Sequence, residues 1–272
     1  MNIVAHALPC PHGETIAITE TPENGTPIAT VIIVPGTPQT RVGAHRQFVI
    51  LARRLVEHGF RTVRFDRVGF GDSDGSAPSF EAEHTDIQAV VTHAEQLSAE
   101  HSEIWLLGLC DGATQAALYA QTDPGIQGMV LLNPWLEDTN QAMQTVPRQY
   151  YSERLRKPNQ FAKWLSNPSR WWRTFLGIMR SSKAKSSAPL GEQAARVLAA
   201  ITEATLPTTV LLSANDRTVL EFKQALATHD SNLQEKGRLT VCEMEGADHT
   251  FTNKDQELLQ QVLAALPSQP KL

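Results

Sequence analysis

An α/β fold with a mostly parallel central sheet flanked by helices is predicted by three observations. Short β-branched or apolar runs alternate with longer stretches of helical spacing over most of the 272 residues. The rhythm breaks once, between about residues 137 and 190, where no convincing strand occurs. One strand runs directly into Gly108-Leu109-Cys110-Asp111-Gly112, a pentapeptide suited to a tight strand-to-helix turn. Strands that alternate with helices pack as a parallel sheet covered on both faces.

The elements follow in order. ETIAITET (14–21) alternates like an exposed antiparallel strand, and ATVIIVP (29–35) reads as a buried one. Residues 48–58 have helical spacing, with Phe48, Leu51, Ala52 and Leu55 on one face and Gly59 as the C-cap. RTVRFD (61–66) is the next strand, followed by a helix around 81–97 and the strand EIWLLGL (103–109). A helix over 112–121 leads to GMVLLNP (128–134). After the interruption come TTVLLSA (208–214), a helix around 220–228, RLTVCEM (238–244) and a last helix over 254–266. Ligand sites in such sheets lie at the carboxyl ends of the strands, so those loops hold the candidates.

The interruption divides the chain into a core, 1–136 with 191–272, and a helical cap insertion, 137–190. A long insertion between sheet strands most simply covers the strand ends. Residues 148–185 carry ten basic side chains and one acid, with Tyr150, Tyr151, Trp164, Trp171 and Trp172 among them. This is either a solvated cap or a surface for an anionic partner, such as an acyl carrier protein, a phosphorylated carrier or a membrane face.

The chain as a whole has a formal net charge of −5, which gives no case for nucleic acid. Three cysteines are too few and too scattered for a disulfide framework or a zinc site, and they suit a reducing compartment. The first ten residues lack the charged start and long apolar core of a signal peptide, and the LPC ending them follows too short a segment for a lipoprotein site. The apolar runs are strand-sized, so the expectation is a cytoplasmic protein that is not integral to a membrane.

In G-x-C-x-G the central residue sits on a strained turn, and its neighbours two positions away must be small to clear the backbone. The turn also brings the sulfur to a helix N-terminus, which favours a thiolate. A buried core thiol would look the same if it stood alone. Cys110, however, is followed in chain order by Asp216, just past TTVLLSA, and by His249, in the loop after RLTVCEM. Nucleophile, acid and histidine at successive strand ends make Cys110-His249-Asp216 the candidate triad.

Two backbone N–H groups should stabilise an oxyanion: that of Asp111, after the nucleophile, and that of Thr37, in Pro35-Gly36-Thr37-Pro38. Pro38 has no N–H to give. The Asp111 carboxylate is expected to point away from the thiol, the alternative being a direct role with substrate. The turn from Asp66 to Gly75 is glycine-rich but lacks the spacing and lysine of a phosphate loop, and reads as a tight loop beside the elbow. Arg41, His45, Arg46 and Trp135 are candidate substrate contacts. No metal or cofactor is suggested.

With these residues in place the chain resembles the α/β-hydrolase superfamily. More narrowly, it resembles the hydrolase of the first type associated with the exosortase A system in bacteria. The likeness is carried by TPQTRVGAHRQFVILARRL (37–55), RFDRVGFGDSDG (64–75), GLCDG, LLNPW (131–135) and RQYYSERL (148–155). It implies an α/β-hydrolase fold and a cytoplasmic enzyme in a pathway of exopolysaccharide production and PEP-CTERM protein sorting. Gly36-Thr37 and Thr40 stand where a glycine pair and a tyrosine are expected, which would alter the oxyanion loop. Gly112 stands where alanine is expected, a harmless exchange on sequence grounds. The Cys-His-Asp set also resembles that of dienelactone hydrolases, more weakly.

The chemistry that follows is acyl transfer to Cys110, with thioesters and activated esters or lactones ranked above amides. Hydrolysis of a small-molecule or carrier-linked acyl substrate leads. An acyltransferase with the same triad and a non-catalytic scaffold remain as alternatives.

Overall fold

A computed structural model describes residues 1–76, 84–97, 102–136, 191–214, 216–229 and 238–268. Their strands are β1 (Asn2–Cys10), β2 (Gly13–Thr21), β3 (Ala29–Val34), β4 (Arg61–Phe65), β5 (Asp74–Gly75), β6 (Glu103–Leu109), β7 (Ile126–Leu132), β8 (Thr208–Ser213) and β9 (Leu239–Met244). The helices are α1 (Gln47–Glu57), α2 (His84–Leu97), α3 (Asp111–Ala120), α4 (Glu192–Thr202), α5 (Arg217–His229) and α6 (Asp255–Ala265). The strands form one sheet in the order β1-β2-β4-β3-β6-β7-β8-β9, with the short β5 paired to β2. From β4 to β9 every pairing is parallel, whereas β1–β2 and β2–β4 are antiparallel. This is the α/β-hydrolase fold, as predicted.

The central strands are buried on both faces. All six residues of β3 and six of the seven in β6 are removed from solvent. Val31, Ile33, Leu107, Leu109, Val130 and Leu132 pack with Phe48, Leu51 and Leu55 of α1 and Leu258, Leu259 and Val262 of α6. Ile32 and Leu106, one step along their strands, turn to the opposite face. Each such side chain stabilises the fold by roughly 1.5–3 kcal/mol.

Two buried ion pairs fasten the strand ends. Arg64 donates to Glu20, which also accepts from the Thr62 hydroxyl, and Arg67 donates to Asp86 at 2.7 Å. Arg64 further donates to the Arg41 carbonyl at 2.9 Å, tying β4 to the loop after β3. Asp66, fully buried, accepts from the backbone N–H groups of Arg41 at 2.6 Å and Asp72 at 2.9 Å. Gly71, at φ 59°, leaves room for that carboxylate, since a Cβ would lie 2.3 Å from Asp66 Oδ2. The glycine-rich turn is therefore built around Asp66.

β1 is the one long strand the sequence does not announce. Its first four residues are all exposed, and of the rest only His6, Leu8 and Cys10 are half-buried, so no apolar alternation in the sequence marks it. It forms by pairing along its whole length with β2, from Asn2↔Thr21 to Cys10↔Gly13.

The chain separates into a unit of Met1–Leu136 with Arg196–Leu272 and a unit of Glu137–Ala195. The expected cap insertion, 137–190, with its basic stretch, lies outside the described residues. Among the described residues no helix is long and apolar enough to cross a membrane.

Candidate active site

Cys110 stands between β6 and α3 with φ 59° and ψ −124°, a conformation that costs a non-glycine residue on the order of 1–3 kcal/mol. Its surroundings hold it there. The Cys110 N–H donates to the Leu132 carbonyl at 2.9 Å, and its carbonyl accepts from Ala113 and Thr114. A Cβ on Gly108 would lie 2.5 Å from Ala113 Cα, and one on Gly112 would lie 2.4 Å from the Val34 carbonyl oxygen. Both obstacles are backbone and cannot yield. Glycine at 112 is thus not interchangeable with alanine, contrary to the sequence reading. The thiol is free and half-buried.

His249 follows β9 in a turn organised by Asp248, whose Oδ1 accepts from the N–H groups of Thr250 at 3.1 Å and Thr252 at 2.9 Å. Phe251 anchors the turn in the core while its own φ is 54°. The His249 Nδ1–H donates to Asp216, which lies beyond the end of β8 and has a carboxylate only 8 % exposed. The imidazole also meets the Cys110 thiol. Asp216 first, and the thiol second, hold the imidazolium against the opposing effect of burial, raising its pKa to about 10. Thiol, imidazole and carboxylate thus come together in the order the chain predicts. Asn215, beside Asp216, lies outside the described residues.

Asn133 was not singled out in the sequence, yet it braces this arrangement. Almost fully buried and at φ 46°, it accepts from the Ser213 N–H at 2.8 Å and donates to the His249 carbonyl at 3.0 Å. One side chain from the end of β7 therefore joins the end of β8 to the loop after β9 that carries His249. The available signal was an asparagine inside LLNPW, directly after a buried strand.

Other expected residues behave differently. The Asp111 side chain turns to the loop after β3, where its Oδ2 accepts from the Thr37 N–H at 3.0 Å and from the Thr37 hydroxyl. The Thr37 N–H, one of the two expected oxyanion donors, is therefore occupied. Arg41 is not free for substrate either. Its guanidinium pairs with Asp66 and Asp72, linking the loops after β3 and β4, because a half-buried cation beside two carboxylates is drawn to them. His45 and Arg46 are exposed and both left-handed, at φ 54° and 64°, in the turn before α1. Trp135 is half-buried, and its backbone is held by the Thr114 hydroxyl, which accepts from the Trp135 N–H at 3.1 Å. Among the described residues no group of three His, Cys, Asp or Glu side chains is arranged to hold a metal ion.

A thiol activated by an imidazole, with an oriented carboxylate behind it, can form and release an acyl-enzyme. The model of the hydrolase family described as serine aminopeptidase, S33, matches residues 25–256. No curated protein matches the sequence. Among solved structures, an α/β serine hydrolase homologue from Coxiella burnetii superposes with a TM-score of 0.64 at 19 % identity, over 98 % of this chain and 99 % of its own. An esterase from Pyrococcus furiosus gives 0.66 at 17 % identity, over 97 % and 90 %. A thioesterase domain from the curacin biosynthetic pathway gives 0.60 at 13 % identity, over 97 % and 100 %. At these identities the likeness shows the fold alone.

Proposed function

The chain belongs to the serine aminopeptidase, S33 family of α/β hydrolases, and we propose that it is a cysteine-nucleophile member that cleaves ester or thioester bonds through an acyl-enzyme. The observation that carries the reading is Cys110 itself, held at φ 59° on a turn whose flanking glycines admit no Cβ, with His249 as its partner. A core thiol would not be kept at the end of a strand in a strained turn facing an imidazole–carboxylate pair.

Cys110 loses its proton to His249, and the sulfur attacks the acyl carbonyl carbon. The carbonyl π electrons move to oxygen, where the Asp111 N–H and, once the Asp111 carboxylate has left it, the Thr37 N–H would serve as backbone donors. Collapse expels the alcohol or thiol, which takes the proton from His249. Water, deprotonated by His249, then attacks the acyl-enzyme and releases the acid. Asp216 keeps the imidazole ring in the tautomer and orientation both steps need. An alkoxide leaves a thiolate adduct less readily than a thiolate does, so thioesters and activated esters are the preferred class. The esterase and thioesterase among the structural neighbours are compatible with that class.

The stretches TPQTRVGAHRQF and LLNPW favour a role in bacterial exopolysaccharide or exosortase-linked metabolism, on resemblance. The basic stretch over 148–185 would suit a carrier-linked acyl substrate.

The test is intact-mass detection of an acyl adduct after brief exposure to a thioester panel, with and without acceptor alcohols or amines. An adduct on Cys110, lost together with turnover in Cys110→Ala, is expected. Turnover that survives Cys110→Ala would discard the reading, and products formed only with an acceptor would make the enzyme an acyltransferase.

A further inference from the structure

The Asp111 carboxylate has a seat shaped for it. Its Oδ2 receives two donors from one residue, the Thr37 N–H at 3.0 Å and the Thr37 hydroxyl. Its Oδ1 is buried and without a hydrogen-bond partner among the described residues. That oxygen lies against Gly36, where a Cβ would come within 2.4 Å of it. The turn after β3 therefore offers bare backbone under one carboxylate oxygen and two donors to the other.

This seat overlaps the place of an acyl oxygen in the proposed reaction. Any carbonyl that takes the Thr37 N–H must first move a carboxylate off it. A displaced carboxylate with no new partner in a half-buried site is unfavourable, whereas one that meets a fresh donor is not. The most direct donor is one carried by the substrate beside its reacting carbonyl.

We propose, on the reading of Cys110 as nucleophile, that Asp111 is a specificity-determining residue that selects acyl groups bearing a hydroxyl donor on the carbon next to the carbonyl. The acyl oxygen takes over the Thr37 N–H while the neighbouring donor takes over the carboxylate. A plain alkyl acyl group can make only the first exchange. Buried polar groups left unpaired by the wrong substrate are a strong source of discrimination.

Butyryl and 2-hydroxybutyryl thioesters of N-acetylcysteamine are the probes. The native enzyme is expected to favour the 2-hydroxy substrate by about tenfold or more in kcat/KM. Asp111→Ala empties the seat and should bring the two substrates within about twofold, mainly by raising kcat/KM for butyryl. Asp111→Asn, which keeps an acceptor for the Thr37 N–H but loses the charge, should fall between and serves alone if the alanine variant does not fold by circular dichroism. Calorimetric binding of both thioesters to Cys110→Ala, with and without Asp111→Ala, reads the same preference without turnover. The same preference with and without the Asp111 carboxylate, or an equal loss for both substrates, overturns the proposal. Undiminished turnover by Cys110→Ala would instead remove the nucleophile, and the Asp111 preference would then be read from that turnover.

Discussion

Replacing Asp216 by asparagine isolates what the carboxylate does for His249. Asparagine keeps the size of the side chain and can still accept from Nδ1–H, but it removes the charge. The native imidazole has its pKa raised from the ordinary 6.5 to about 10, by Asp216 foremost and by Cys110 second. At pH 8 a group with that pKa is roughly 99 % cationic, whereas one at the ordinary value is roughly 3 % cationic. Asp216→Asn should therefore move the titration of His249 from about 10 to below about 8.5, Cys110 retaining part of the effect.

Two assays read it: the ring resonance of isotopically labelled His249 followed against pH, and the rate of Cys110 alkylation by iodoacetamide. In the variant the imidazolium that partners the thiolate is lost at lower pH. On the proposed mechanism kcat falls on the order of 10³–10⁴, the wrong tautomer adding to the lost charge. A midpoint that stays near 10 in the variant would show that Asp216 does not hold the cation, and the role given to it would fall.

Stability should follow the same group. Because the folded state raises the His249 pKa above its unfolded value, the stabilisation is complete below pH 6.5 and is lost as pH rises through about 10. The stability difference between native enzyme and His249→Gln should accordingly be largest near pH 6 and shrink toward pH 10; denaturant melts across that range that show a constant difference would contradict this. Gly112→Ala places a Cβ 2.4 Å from the Val34 carbonyl oxygen, so it should cost about 1–3 kcal/mol in urea unfolding and distort the turn that carries Cys110. Glu20→Gln leaves Arg64, 6 % exposed, without its buried counter-charge and should cost about 3–5 kcal/mol, with the loop after β3 loosened through the Arg64 bond to the Arg41 carbonyl. A loss under about 1 kcal/mol would mean that the pair is well solvated.

Strands β3, β4, β6, β7 and β8 were legible because nearly all of their residues are buried, and the helices because they are one-sided, and both conditions leave a period in the sequence. β6 and β3 show it as continuous apolar runs, and α1 shows it as Phe48, Leu51, Ala52 and Leu55 on one face. β1 left no such mark, since its pairing comes from backbone hydrogen bonds to β2 and few of its side chains are buried. The grouping of Cys110, Asp216 and His249 could be inferred because each ends or follows a strand, and a parallel sheet brings all its strand ends to one edge.

What the sequence by itself determined is the alternation of strands and helices that makes the fold class, and the chain order of those three residues: both follow from burial periods and from turn chemistry, which are local. The tertiary structure alone decided where the neighbouring polar groups are directed. The Asp111 carboxylate turns to Thr37 because Gly36 leaves it space, Arg41 turns inward to Asp66 and Asp72, and Asn133 joins the end of β8 to the loop after β9. Each choice is made by a hydrogen-bond partner between 25 and 116 positions away in the chain, and no local pattern encodes a partner at that distance. The position of Cys110 was thus readable from five residues, while the carboxylate beside it acquired its partner only when β3 and β6 came side by side.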